Sequence, residues 1–289
     1  MFSAMLRPFA KFAVVSITSL GLGVALLGAC ASPPPAASAP PAAPNASAST
    51  EVAPTAAKPV EPSSASAEAI VAAADRSEAD RGLDAGRHPA ELLDFFGVKS
   101  GMKVAELGAG GGYTSELLAR AVGPSGKVYA QNPRFILEKF AEKPWSERLQ
   151  KPVMANVVRV DREFDDPLPP EASNLDLVLI VLFYHDTVWL GTDRERMNRA
   201  VFAALKPGGT YGIIDHSSRA GAGLSEVKTL HRIEESALVS EVTKAGFRRA
   251  AEGTFLKAPD DARDWSTSPS VAGEKRGTSD RFVLAFVKP

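Results

Sequence analysis

Val104-Ala105-Glu106-Leu107-Gly108-Ala109-Gly110-Gly111-Gly112-Tyr113 is the stretch on which the reading of this chain turns. The mostly apolar run from Met102 to Ala105 reads as a buried parallel strand, ended by an acid. A glycine-rich turn follows, and Thr114 to Val122 (TSELLARAV) has helical periodicity. Strand, glycine turn and helix is a layout that receives a nucleotide-bearing ligand. Glycine lets the backbone turn sharply and approach a ligand with no Cβ between them. The helix N-terminus adds unpaired N–H groups.

The spacing narrows the ligand. A dinucleotide fingerprint, G-x-G-x-x-G, needs its third glycine at position 113, which is Tyr113; Gly112 stands one place early. What remains is Glu-x-Gly-x-Gly, with an acid two residues before the first glycine. This combination resembles motif I of the class I S-adenosylmethionine-dependent methyltransferases. The resemblance implies S-adenosylmethionine as cofactor. It casts Glu106 as the group that holds the cationic amino end, with Gly108, Gly110, Gly112 and Tyr113 around the ligand.

Downstream the resemblance continues in motif order over about residues 80–289. Lys127 to Ala130 reads as the second strand. The family places an acid just after it to grip the ribose hydroxyls, and here that position is Asn132. The amide still offers one donor and one acceptor, without the charge-assisted strength of a carboxylate. An NAD site also expects an acid there, so Tyr113 and Asn132 both weaken an oxidoreductase reading. Val157 to Val160 is the third strand. The resemblance makes Asp161, with Arg162 beside it, the candidate for the adenine. Leu177 to Phe183 is continuously apolar, as a strand covered on both faces is, and belongs at the centre. Leu-Lys-Pro-Gly-Gly, residues 205–209, again looks like the family and leads into Thr210 to Ile214. Glu226 to Ala245 reads as helix, in one or two pieces. Arg249 to Leu256 and Arg281 to Val287 close the chain as strands. The fold expected is α/β: a Rossmann-like, seven-stranded, mostly parallel sheet with helices on both faces and an antiparallel C-terminal hairpin. Ahead of the first strand, the charged segment Asp80 to Pro89 reads as a loop. The resemblance implies that Arg81, Arg87 and His88 there fold over the cofactor as a lid.

In an open α/β sheet, ligands bind beyond the carboxyl ends of the strands. Those ends collect Glu106, Asn132, Asp161, His185, Asp186, Asp215 and His216. Methyl transfer is mainly an alignment problem. An oxygen or nitrogen acceptor also has a proton to lose, and imidazole suits that task near neutral pH. His185 is the first candidate base and His216 the second. His185, Asp186, Asp215 and His216 could instead converge on a divalent ion, but no spacing matches a dedicated metal motif, so no metal is expected.

The N-terminal part reads differently. Arg7 and Lys11 precede a mostly apolar run, Ala13 to Leu27, and Leu27-Gly28-Ala29-Cys30 follows. This resembles a bacterial lipoprotein signal with its lipobox, and Cys30 is the only cysteine in the chain. Residues 1–29 are then a signal peptide and Cys30 carries the lipid. The Ala/Pro/Ser-dominated stretch 30–66 is a disordered tether. Residues 67–289 form the folded domain, held at the cell envelope on the outer membrane or the periplasmic face. Exported bacterial methyltransferase-like proteins of unassigned substrate share this layout. A formal net charge of −1 leaves no basic footprint for nucleic acid. The expected partners are therefore a small-molecule acceptor and a membrane. The competing expectation is a membrane-tethered, non-catalytic ligand-binding domain that keeps the methyltransferase-like fold.

Overall fold

The computed structural model describes residues 65–289. The expected leader, lipobox cysteine and nearly all of the tether lie outside the described residues. No helix among the described residues is long and apolar enough to cross a membrane.

The chain begins with α1 (Ala67–Val71), α2 (Glu78–Arg87) and α3 (Pro89–Phe95). The first three βα units follow. They are β1 (Lys103–Leu107) and α4 (Tyr113–Val122), then β2 (Lys127–Asn132) with α5 (Arg134–Ile136) and α6 (Glu142–Leu149), then β3 (Val157–Asp161). The second half contains β4 (Leu175–Val181), α7 (Tyr184–Trp189), α8 (Arg194–Ala204), β5 (Leu205–His216), α9 (Glu235–Lys244), β6 (Arg248–Gly253) and β7 (Arg281–Val287). The seven strands form one sheet in the order β3-β2-β1-β4-β5-β7-β6. Only β7 runs against its neighbours, β5 and β6. This matches the expected sheet, with β7 inserted inside the hairpin's edge strand.

Strand alternation sorts the core into two layers. Val104, Leu177, Leu179 and Ile214 face the layer of α3 and α4, where Leu117, Leu118 and Val122 pack. Ala105, Leu107, Val178, Ile180 and Ile213 face the layer of α8 and α9, against Met197, Val201, Leu238 and Val242. Leu177, Val178, Leu179 and Ile180 are all fully buried, which accounts for the unbroken apolarity of β4. The chain reverses its direction of growth between β1 and β4. Their carboxyl ends, Leu107 and Ile180, are register partners, and this is the switch point at which sheets of this kind form a ligand crevice.

Four local expectations are corrected. Residues 80–87 are not a loop: α2 is capped by the Ser77 side chain and ends at His88 in the left-handed conformation, φ 49°. The central strand stops at Val181, and Tyr184–Trp189 is helical, so His185 and Asp186 sit in a helix's first turn. The Lys206–Gly209 turn lies within β5, where the register with β4 shifts between Leu175 and Leu177. Of the expected helix 226–245, only Glu235–Lys244 is helical. Ile233 instead pairs beside Ser217, its N–H donating to the His216 carbonyl at 3.0 Å. Burial of Ile233 at the sheet end outweighs the helical spacing of Leu224, Val227 and Leu230.

Candidate active site

The glycine loop leaves β1 with Glu106 on the α4 side. That carboxylate is 3% exposed. The hydroxyl of Ser115, on α4, donates to it, with Thr114 beside it. Burial pushes the carboxyl up to about 7, against the pull of the Ser115 and Thr114 hydroxyls and of the Arg87 and Arg148 charges.

Gly108, Gly110 and Gly112 all have positive φ, at 69°, 54° and 83°. The reasons differ. A Cβ on Gly108 would stand 2.7 Å from the Phe183 ring, and one on Gly112 would stand 2.4 Å from the Trp145 ring. A Cβ on Gly110 would meet nothing within 4 Å. Gly108 therefore clears the chain after β4, and Gly112 lets α4 dock on buried Trp145. Gly110 faces open space at the crevice.

The two amides that end β2 hold this loop from outside. Gln131 accepts from the Gly108 N–H at 3.0 Å. Asn132, fully buried, accepts from the Gly110 N–H at 2.7 Å and donates to the Gly110 carbonyl at 3.1 Å. Asn132 thus clamps the loop it was expected to assist across the ligand. The two engaged N–H groups are also not free to cradle a pyrophosphate. Asp161 is exposed and ion-paired with Arg159 at 2.9 Å. Arg162 pairs with Asp166, and its carbonyl receives a hydrogen bond from Gln131. Both stand at the carboxyl end of β3.

Helix α2 covers the loop. Asp84 accepts two bonds from Arg76 at 2.7 Å and one from the Tyr113 hydroxyl at 2.6 Å. Asp80 accepts two bonds from Arg148, whose Nε also donates to the Gly111 carbonyl at 2.6 Å. Arg281, 4% exposed, donates to the carbonyls of Gly86, Gly277 and Ser279. The Arg87 guanidinium lies 4.5 Å from the centre of the Tyr113 ring. Burial pulls its pKa down, and it has no hydrogen bond or ion pair with the described residues. Arg81 instead bonds the Ala73 carbonyl, and His88 pairs with Glu91.

On the other side of the crevice, β4 and β5 bring the histidines together. Asp215, fully buried, accepts from the His185 backbone N–H at 2.7 Å and from its Nδ1 at 2.6 Å. It thereby satisfies an orphan donor of α7 and fixes the imidazole ring. Burial alone would lower the His185 pKa, but Asp215 and Asp186 outweigh it and raise it to about 10. Burial and the neighbouring His185 charge hold His216 well below the usual histidine range. His216 Nδ1 is 2.8 Å from the Ser279 hydroxyl. Asp186 would be raised by burial, but its contacts with His185 and His231 hold it low.

His231 completes this group and was not singled out in the sequence, where it sits inside a helical-looking stretch. Its Nδ1 is 3.3 Å from His185 Nε2 and 3.3 Å from an Asp186 oxygen. Its backbone is left-handed, φ 51°, as is that of Leu182 just after β4, φ 59°. An aromatic wall leads outward: Trp189 stands 6.4 Å from His231 and 6.1 Å from Phe135, which packs on exposed Phe140.

No family model matches the chain. A ubiquinone/menaquinone biosynthesis C-methyltransferase of Idiomarina loihiensis is 27% identical over 135 residues, 47% of this chain and 51% of that protein. The corresponding protein of Pasteurella multocida is 25% identical over 150 residues, 52% of this chain and 53% of that protein. The chain thus spans about half the length of the curated relatives it matches. Among solved structures, an S-adenosylmethionine-dependent methyltransferase from Aquifex aeolicus aligns with a TM-score of 0.52 at 20% identity, over 73% of this chain and 96% of that one. Strand order, the reversed β7 and these likenesses agree that this chain has the fold of the class I S-adenosylmethionine-dependent methyltransferases.

Proposed function

We propose that this protein is an S-adenosylmethionine-dependent methyltransferase acting on a small, ring-bearing, apolar acceptor. The observation that carries the reading is Gly110. It follows buried Glu106 at the end of β1, holds a left-handed backbone and leaves open the space its Cβ would fill. Glycines in ordinary turns, such as Gly191 and Gly208, have the same open space, so what singles out Gly110 is its place four residues after buried Glu106 at the carboxyl edge of the sheet, where a ligand would fill that space. Glu106 receives the cofactor's ammonium group, and Arg87, which has no ion-pair partner among the described residues, its carboxylate. The acceptor enters along Phe140, Phe135 and Trp189 and meets the donor beside His185 and His216. Binding aligns the acceptor with the sulfonium methyl group for in-line displacement. The likeness, over about half their length, to C-methyltransferases of ubiquinone/menaquinone biosynthesis supports a ring-bearing acceptor. Lipid on Cys30 and the Ala/Pro/Ser tether hold the domain at the bacterial cell envelope, close to membrane-dissolved acceptors.

The test is calorimetry on the full-length protein with S-adenosylmethionine and its demethylated product. Wild type binds both, and Gly110→Val binds neither while keeping the wild-type circular dichroism spectrum. Wild-type affinity in the folded variant would remove the loop from the cofactor site. Slow methyl release to ring-bearing acceptors, measured from labelled cofactor, then separates an enzyme from a binding domain.

A further inference from the structure

We propose that His185, Asp186 and His231 form a binding site for a divalent first-row transition ion of the zinc class, with Asp215 as its supporting group. The three candidate ligand atoms make a nearly equilateral triangle. His185 Nε2 to Asp186 Oδ1 is 3.2 Å, His231 Nδ1 to the same oxygen is 3.3 Å, and His185 Nε2 to His231 Nδ1 is 3.3 Å. Ligands about 2.0–2.1 Å from a tetrahedral ion stand about 3.3 Å apart, so the edges already have the length that such an ion sets. Two imidazole nitrogens and one carboxylate suit zinc, iron or cobalt, and do not suit calcium or magnesium, which take oxygen.

The surroundings are those of a ligand set. Asp215 holds His185 Nδ1 at 2.6 Å, so an ion at the triangle would take the place of the Nε2 proton and meet that nitrogen's lone pair. The Trp189 indole N–H donates to Asp186 Oδ1 at 2.7 Å and orients that carboxylate. His231 reaches the cluster only through a left-handed backbone, held by the Thr267 hydroxyl on its carbonyl at 2.7 Å. Such strain at a residue with a β-carbon is characteristic of positions where geometry serves a site. The side chains of Asp186 and His231 are 15% and 24% exposed, so an ion can reach the cluster from solvent and a water or acceptor oxygen could complete its shell. Among the described residues, this is the one such cluster of His, Cys, Asp and Glu side chains.

The ion's chemical use rests on the methyl-transfer reading; its binding does not. An acceptor hydroxyl coordinated at the fourth position loses its proton to water more readily. The oxygen's electron pair forms the O–C bond, and the C–S pair passes to sulfur, leaving the neutral thioether.

Ion binding is read without cofactor or acceptor, so its failure and that of methyl transfer are distinguishable. The full-length protein is stripped with chelator and titrated with Zn²⁺, then with Co²⁺ as a spectroscopic probe. The expected result is one ion per chain and the intense visible bands of four-coordinate cobalt. His231→Gln and Asp186→Asn should remove the bands, and Asp215→Asn should weaken affinity by about 10–100-fold. His88→Asn, at a histidine outside the cluster, should bind as wild type. Absence of cobalt bands in the wild type would overturn the proposal without recourse to any variant. Equal zinc affinity in wild type and folded His231→Gln would also overturn it.

Discussion

Glu106 makes cofactor affinity a function of pH, and the size of the effect follows from its burial. The carboxyl is raised from 4.5 to about 7 in the ligand-free protein, chiefly by desolvation. An ammonium group brought against it favours the ionised form, so binding expels a proton wherever the free carboxyl still holds one. If the bound carboxyl returns to its ordinary range, affinity should rise about 20-fold from about pH 5.5 to about pH 7.5, then level off. Stability moves in the opposite direction. A carboxyl whose folded pKa lies above its unfolded value favours the folded state at low pH. That contribution is complete below about 4.5 and is lost as pH rises through about 7, to a total of about 3 kcal/mol. Glu106→Gln keeps a group able to bond Ser115 and removes the ionisation. The variant should bind weakly with no pH slope, and should gain thermal stability over wild type as pH rises. Isothermal titration with S-adenosylhomocysteine across this window, with a melting curve at each pH, measures both effects. This cofactor product keeps the amino-acid end and cannot turn over. A flat wild-type affinity profile, or an undiminished slope in Glu106→Gln, would refute the assignment of Glu106 to the ammonium group.

Gly112→Ala should cost about 2–4 kcal/mol in chemical denaturation, because its Cβ meets the Trp145 ring at 2.4 Å on a left-handed backbone. A loss below about 0.5 kcal/mol would mean that Gly112 is not a packing glycine. Arg87→Ala should weaken cofactor binding about 10–100-fold with little loss of stability, since this guanidinium lacks an ion-pair partner among the described residues; calorimetry checks the first and melting the second. Cys30→Ser should block precursor processing or release the protein from the membrane fraction, and unchanged fractionation and cleavage would rule out a lipid anchor on that thiol.

The sheet was legible in the sequence because its signals are local. Unbroken apolarity in Leu177–Ile180 marks a strand covered on both faces, and glycines after Glu106 mark a turn that bulkier residues enter only with strain. The spacing of Gly108 and Gly110 from Glu106 likewise pointed to a cofactor loop rather than a dinucleotide loop. The division of labour among the three glycines was not legible, because it depends on Phe183 and Trp145, which arrive from other elements. Asn132 looked like a weakened ribose ligand, and only the folded chain shows its amide closed on Gly110. His231 carried no local signal at all. Its stretch has helical spacing, and it reaches His185 only because Ile233 is buried beside Ser217 and breaks the helix. Sequence alone determined which segments are strands and where the loop lies, since periodicity and glycine act within a few residues. Which side chains share the crevice was decided by tertiary packing, because burial at one position sets the backbone at its neighbours.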